Sequence, residues 1–104
     1  APAYDLREAS RVIAAAEAAG RPVASLSDYH GQFGFYGRLA RPIENLPPEQ
    51  AQAWSREHPG GYLIAYYPGR VPGHSAAVHE QPYRGGHLVI WATRELAADP
   101  ALLP

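Results

Sequence analysis

The 104-residue sequence contains no cysteine, which excludes disulfide bonds and thiolate metal sites. It contains no methionine, even at position 1, so we expect this chain to be excised from a longer protein. No apolar run approaches the roughly 20 residues of a membrane-spanning helix, and no signal-peptide pattern is present, so we expect any such segments elsewhere in that protein. Lysine is also absent: all nine basic residues are arginines, and the formal net charge of −1 implies no nucleic-acid partner.

The motifs of the common catalytic classes are missing as well. There is neither a G-x-S-x-G nucleophile elbow nor a G-x-x-x-x-G-K-[ST] phosphate loop. A glycosidase needs two acidic residues that converge, and the spacing of the ten acidic residues here nominates no such pair. His74, His79 and His87 match no familiar zinc spacing. The sequence therefore predicts no catalytic residue, no metal and no cofactor.

Hydrophobic residues make up 46% of the chain, which suits one soluble globular domain spanning 1–104. Apolar spacing and stop signals predict helices over 6–19, 31–40 and 48–57, a short last helix capped by Thr93, and strands over 22–27, 41–46, 62–67 and 87–92. In the first helix, Asp5 and Glu8 have the spacing of a capping box.

The alternation of these elements predicts an α/β fold, a three-layer Rossmann-like sandwich with a small, mostly parallel four-stranded sheet. The fourth strand follows a connection without a clear helix, so its direction stays open. The aromatic residues of the last two strands are expected in the core or at interfaces. The expected core consists of Val12, Ile13, Val23, Ile43, Trp54, Leu63, Ile64, Val89 and Ile90.

The stretch SDYHGQFGFYGRLARP, residues 27–42, follows the first predicted strand and has glycines three residues apart. That spacing places the glycines along one side of a helix, where another backbone or a flat group can approach closely. One interpretation is that this side packs on the sheet or on a neighbouring helix. The other is that Tyr29, His30 or Gln32 contacts a ligand, as expected after the first strand of an open α/β sheet.

The connection over 68–86 is rich in glycine and proline, and its length is typical of a functional or mobile loop. In a parallel sheet it emerges at the same edge as the turn after the first strand, where such sheets place ligands. We therefore predict a ligand-binding set of Tyr29, His30, Arg70, Tyr83 and Arg84, with Arg suited to a phosphate and Tyr to a sugar face. The alternative is a mobile loop that only connects strands.

Three segments, 23–46, 61–68 and 82–96, together resemble the C-terminal domain of bacterial membrane glycosyltransferases of the dolichyl-phosphate-mannose protein mannosyltransferase and aminoarabinose transferase type. The matching residues are Tyr29, Phe35, Tyr36, Gly37 and Arg38. The resemblance implies a small periplasmic α/β domain attached to a multi-helix membrane region at the inner membrane. It also implies a polyprenyl-phosphate sugar donor and a lipid or protein acceptor. Because the catalytic acids of that family lie in the membrane region, no catalytic residue carries over.

Two functions follow as expectations. The first is a non-catalytic extracytoplasmic accessory domain of such a glycosyltransferase, whose partner is the membrane region of the same polypeptide and which covers the active site or aids acceptor recognition. The second is a free-standing α/β domain that binds a small ligand or nucleotide. In the first case the isolated chain neither transfers nor hydrolyses sugars.

Overall fold

The computed structural model describes residues 5–26 and 41–104, which form one sheet with helices on both faces. In chain order the elements are α1 (Arg7–Ala18), β1 (Val23–Leu26), β2 (Glu44–Leu46), α2 (Ala51–Glu57), β3 (Tyr62–Tyr67), β4 (His79–Tyr83), β5 (Gly86–Ala92) and α3 (Thr93–Ala98), with 3₁₀ turns at Pro48–Gln50, His74–Ala76 and Pro100–Leu102. The four predicted strands and the helices around them are confirmed, while the predicted helix over 31–40 lies outside the described residues. Within the described ranges, no helix has both the length and the apolar character needed to cross a membrane.

The sheet has the strand order β2-β1-β3-β5-β4. β1 pairs in parallel with β2 and β3, whereas β5 runs antiparallel to both β3 and β4. The predicted mostly parallel sheet of four strands is therefore wrong in its strand count, and half of the described pairings are antiparallel. The antiparallel pairing of β4 with β5 has a simple cause: a tight turn joins them, and parallel strands would need a crossover of about a dozen residues or more.

The additional strand, β4, lies inside the segment predicted as a loop. Its sequence HEQPY lacks the apolar alternation of a half-buried strand, and Pro82 argues against a central strand. In the structure β4 is an edge strand in which Pro82 lies opposite His87 of β5. A proline cannot donate to the strand ladder, and an edge strand tolerates this because only one of its sides is paired.

α1 forms because small and branched apolar residues recur along one side of an otherwise polar segment. Ala9, Ile13 and Ala16 are buried against the sheet. At its start, Asp5 accepts a hydrogen bond from the Arg7 N–H, and the Arg7 side chain holds the pKa of Asp5 well below its usual range. The predicted capping box does not form: the N-cap residue of α1 makes no side-chain capping hydrogen bond, and Glu8 pairs with Arg11.

The core has one layer on each face of the sheet. On one face Ile13 of α1 packs in a cluster with Ile64 and Ile90. On the other face α2 and α3 pack on Leu63 and Trp91. Neighbouring residues of β3 and β5 thus face opposite helices, as the alternation of side chains along strands requires. The layered α/β/α arrangement is confirmed for the described residues.

Most of the expected core is buried, with three exceptions at its margin. The side chains of Val12, Val23 and Ile43 are only half-buried and pack around the α1 cluster. The other six predicted core residues are buried. Val23 begins a strand and Ile43 precedes one, so the sheet covers each of them on one side only.

Two consecutive buried hydrogen bonds connect the C-terminal 3₁₀ turn to the sheet. The Trp91 indole N–H donates to the Tyr67 hydroxyl at 2.8 Å, and that hydroxyl donates to the Leu102 carbonyl at 2.7 Å. The Tyr67 and Trp91 rings also meet edge to face, with centroids 6.4 Å apart. Burial raises the pKa of Tyr67 to about 12, although the Trp91 hydrogen bond partly offsets this.

Thr93 connects the ends of β5, α2 and β3 rather than capping α3. Its hydroxyl donates to the His58 carbonyl at 2.6 Å and accepts from the Gly61 N–H at 3.2 Å. The residue is fully buried, so these bonds satisfy polar groups that water cannot reach. The predicted cap is therefore wrong: no side chain caps α3.

Candidate functional site

One edge of the sheet brings together the three candidate residues that the structure describes. Because β1 and β3 are parallel, their carboxyl ends lie at the same edge, as predicted. β5 begins there, with Tyr67 opposite His87, and β4 ends there, with Tyr83 opposite Gly86. Arg70, Tyr83 and Arg84 therefore follow or end strands at this edge, which we call the arginine edge. The other two candidates, Tyr29 and His30, lie outside the described residues.

Arg84 occupies a backbone conformation that side-chain-bearing residues rarely adopt. Arg84 and Gly85 form the two-residue turn between β4 and β5, with φ values of 49° and 78°. Two positive φ angles match the type I′ turn, in which Asn, Asp and Gly are preferred. An arginine in the left-handed region costs about 1–2 kcal/mol. The turn itself favours smaller residues, so the backbone at Arg84 is strained. Strain of this kind is concentrated at functional sites, which makes the Arg84 side chain a candidate for ligand binding.

Neighbouring aromatic residues fix Arg84 in place. The Tyr66 hydroxyl donates to the Arg84 carbonyl at 2.9 Å. The guanidinium carbon of Arg84 lies 5.1 Å from the centroid of the Tyr83 ring, within cation–π range. Tyr83 meets Tyr66 edge to face at 6.2 Å and is only 6% exposed. Tyr83 thus packs against the guanidinium and leaves little of its own ring surface accessible to a sugar.

Gly86 sets how closely the Arg84 turn approaches the end of β3. A Cβ at this glycine would lie 2.2 Å from the Tyr67 carbonyl oxygen and 2.9 Å from the Pro68 Cα. Both are backbone atoms that cannot move without shifting a strand. The glycine therefore keeps the turn that carries Arg84 packed against the segment that leads to Arg70.

Both arginines of this edge carry charges that no described carboxylate neutralises. Arg70 and Arg84 are exposed, and within residues 5–26 and 41–104 neither forms an ion pair. A guanidinium offers five N–H donors in a planar fork that suits the two oxygens of a phosphate or carboxylate. The arrangement therefore suits the binding of an oxyanion and includes no nucleophile or general base that we can assign.

Two of the histidines singled out in the sequence, His79 and His87, contact polar residues of β4. The His79 ring lies 2.9 Å from the Gln81 side-chain oxygen, and the His87 ring lies 3.3 Å from the Glu80 carboxylate. Among the residues that the structure describes, no group of three or more histidine, aspartate or glutamate side chains is placed to hold a metal ion.

Sequence reasoning missed the residues that position Arg84. Tyr66 was expected only to pack, yet its hydroxyl holds the turn, and the contact spans 18 residues of sequence. The available signal was Arg-Gly-Gly following Tyr83, since a glycine-containing pair between strands indicates a hairpin. Recognising that hairpin would have placed both Tyr83 and Arg84 at the end of a strand.

Comparison of this chain with models of protein families, with curated proteins and with solved structures finds no match. The resemblance to membrane glycosyltransferase domains therefore stays a prediction. Its matching residues, from Tyr29 to Arg38, lie outside the described part of the chain.

Proposed function

We propose that this chain is a non-catalytic accessory domain of a bacterial membrane glycosyltransferase that uses a polyprenyl-phosphate sugar. In this proposal the domain lies on the periplasmic face of the inner membrane and packs on the membrane region of the same polypeptide. The resemblance of three sequence segments supports the enzyme class. The catalytic acids belong to the membrane region, so the isolated chain neither transfers nor hydrolyses sugars.

The observation that carries the proposal is Arg84 on its left-handed turn. Such turns prefer Asn, Asp or Gly, and the guanidinium has no carboxylate partner among the described residues. The Tyr83 ring contacts the guanidinium, and the Tyr66 hydroxyl holds the backbone of the turn that carries it. A preorganised, unneutralised guanidinium at the carboxyl edge of a sheet suits a phosphate headgroup, and Arg70 supplies a second cation at that edge.

Vesicle binding tests this proposal on the isolated chain. Phosphatidylcholine vesicles are prepared with and without polyprenyl phosphate, and co-sedimentation of the chain is measured. We expect the chain to prefer vesicles that contain polyprenyl phosphate. Arg70→Gln and Arg84→Gln should each weaken that binding about tenfold, the effect of losing one charge-assisted hydrogen bond of about 1.5 kcal/mol.

The matched control is Arg56→Gln. Arg56 is exposed in the last turn of α2 and its substitution removes the same charge. An equal preference for both vesicle types contradicts the proposal. An equal loss in the Arg56 variant would also contradict it, because the effect would then reflect net charge alone.

A free-standing ligand-binding domain is the second candidate. The parallel strands have the order β2-β1-β3, so the chain steps from β1 to β2 in one direction and then from β2 past β1 to β3 in the other. Such a reversal creates the crevice in which Rossmann-like sheets bind small ligands, and it supports a Rossmann-like relationship for this part of the sheet. The complete gene product separates the two functions: several apolar spans before Ala1 support the accessory domain, and a start codon next to Ala1 supports the free-standing one.

A further inference from the structure

A polar pocket of about 380 Å³ lies at the sheet edge opposite the arginine edge. Its walls come from the end of α1, the entries to β1 and β2, and the end of α2. The side chains that give it chemical character are Glu17, Arg21, Arg41, Glu44, Trp54 and His58. The volume falls within the range of about 300–1,000 Å³ that small-molecule sites occupy.

Two anchored arginines line this pocket. Arg41 donates from Nη2 to the Glu17 carbonyl at 3.1 Å, and Arg21 donates from Nη1 to the Gly60 carbonyl at 2.9 Å. The Arg21 guanidinium also lies 5.3 Å from the centroid of the Tyr62 ring. In the described part of the chain neither arginine forms an ion pair. Each guanidinium is therefore held by a backbone carbonyl and keeps further N–H donors.

An aromatic wall faces the same space and contains an unsatisfied donor. Trp54 and His58 stack with ring centroids 4.2 Å apart, and both line the pocket. The His58 Nδ1 contacts the Trp54 carbonyl at 2.8 Å; since a carbonyl only accepts, Nδ1 carries the proton. Trp54 is 7% exposed, and its indole N–H is buried without a hydrogen-bond partner. A buried donor without an acceptor costs about 1–3 kcal/mol. Because this N–H is itself buried, its NMR signal reports on changes in the wall of the pocket rather than on a direct ligand contact.

We propose that this pocket binds a small molecule that carries an oxyanion, a phosphate or a carboxylate, beside hydroxyl or amino groups. The oxyanion matches the free donors of Arg21 and Arg41. Glu44 is exposed at the rim and accepts hydrogen bonds from hydroxyl or amino donors, so a bare anion fits less well. The site is independent of the arginine edge and of the glycosyltransferase proposal.

The test follows the Trp54 indole N–H signal by ¹H–¹⁵N NMR while ligand is added. The probes are glycerol phosphate, glycerate and inorganic phosphate, and a Trp54→Phe spectrum distinguishes the Trp54 signal from that of Trp91. We expect a saturable shift with glycerol phosphate or glycerate and weaker binding of inorganic phosphate. Arg21→Gln and Arg41→Gln should each weaken binding about tenfold.

Arg56→Gln is again the matched control. Residue 56 is two positions from both Trp54 and His58, which places it on the other side of the helix end. Its variant should bind as the unaltered chain does. The absence of a saturable shift with all three probes overturns the proposal, and this titration of the unaltered chain decides even where a variant fails to fold. A loss in the Arg56 variant equal to that of Arg21 and Arg41 also overturns it.

Discussion

Replacing Tyr67 with Phe removes one oxygen from the centre of the fold and leaves the ring in place. The hydroxyl is the acceptor for the Trp91 indole N–H and the donor to the Leu102 carbonyl. Each lost hydrogen bond costs about 0.5–1.5 kcal/mol net, and a buried N–H left without a partner costs about 1–3 kcal/mol. We expect Tyr67→Phe to lower the free energy of unfolding by about 2–4 kcal/mol, with a melting temperature about 4–8 °C lower for each kcal/mol.

The same oxygen makes stability depend on alkaline pH. The pKa of Tyr67 is about 12 in the folded state against 10.0 for an ordinary tyrosine. A raised folded pKa gives stability that is fully present below pH 10 and is lost as the pH rises through 12. At about pH 11 that loss is about 1.4 kcal/mol, and Tyr67→Phe should not show it.

Urea unfolding at about pH 8 and about pH 11 measures both effects. The matched control is Tyr62→Phe on the same strand, because the Tyr62 hydroxyl makes no hydrogen bond within the described residues while its ring keeps the contact with Arg21. A Tyr67→Phe chain as stable as the Tyr62→Phe chain at both pH values would refute the reasoning. So would an alkaline loss of the same size in both variants.

Three further substitutions test the fold and the arginine edge. Gly86→Ala places a Cβ 2.2 Å from the Tyr67 carbonyl oxygen and should cost about 1–3 kcal/mol in urea unfolding, whereas Gly69→Ala, with no atom within 4 Å, should change little. Thr93→Val should cost about 1–3 kcal/mol because two buried hydrogen bonds are lost, as thermal unfolding will show. Arg84→Gly should change the free energy of unfolding by less than about 1 kcal/mol. Relief of the left-handed strain offsets two losses, the contact with the Tyr83 ring and the greater entropy of the unfolded chain with glycine. The same variant should bind more weakly to polyprenyl-phosphate vesicles.

The elements that could be predicted from the sequence are those with strong local patterns. β3 and β5 could be predicted from their apolar runs, and α1 from the spacing of Ala9, Ile13 and Ala16. In each case burial in the core imposes the pattern of apolar residues directly. β4 could not be found this way, since an edge strand needs few apolar residues and accepts Pro82. Its absence from the prediction also left the order and directions of the strands incomplete.

The candidate site could likewise be predicted only in part. The position of Arg70 at the carboxyl edge follows from a parallel β1 and β3, which the α/β alternation predicts. The support that Tyr66 and Tyr83 give to Arg84 depends on the register of β3, β5 and β4, and no local pattern encodes that register. The pocket around Arg21 and Arg41 likewise joins the ends of elements that are distant in sequence.

The central claim is that the arginine edge contacts the phosphate of a polyprenyl-linked sugar. Steady-state transfer by the complete polypeptide that carries this chain tests it most directly, with Arg70→Ala, Arg84→Ala and the double variant compared against Arg56→Ala. We expect the KM for the donor to rise about tenfold for each substitution at the edge, with kcat largely unchanged and Arg56→Ala without effect. A folded double variant with unchanged KM for both donor and acceptor would contradict the account.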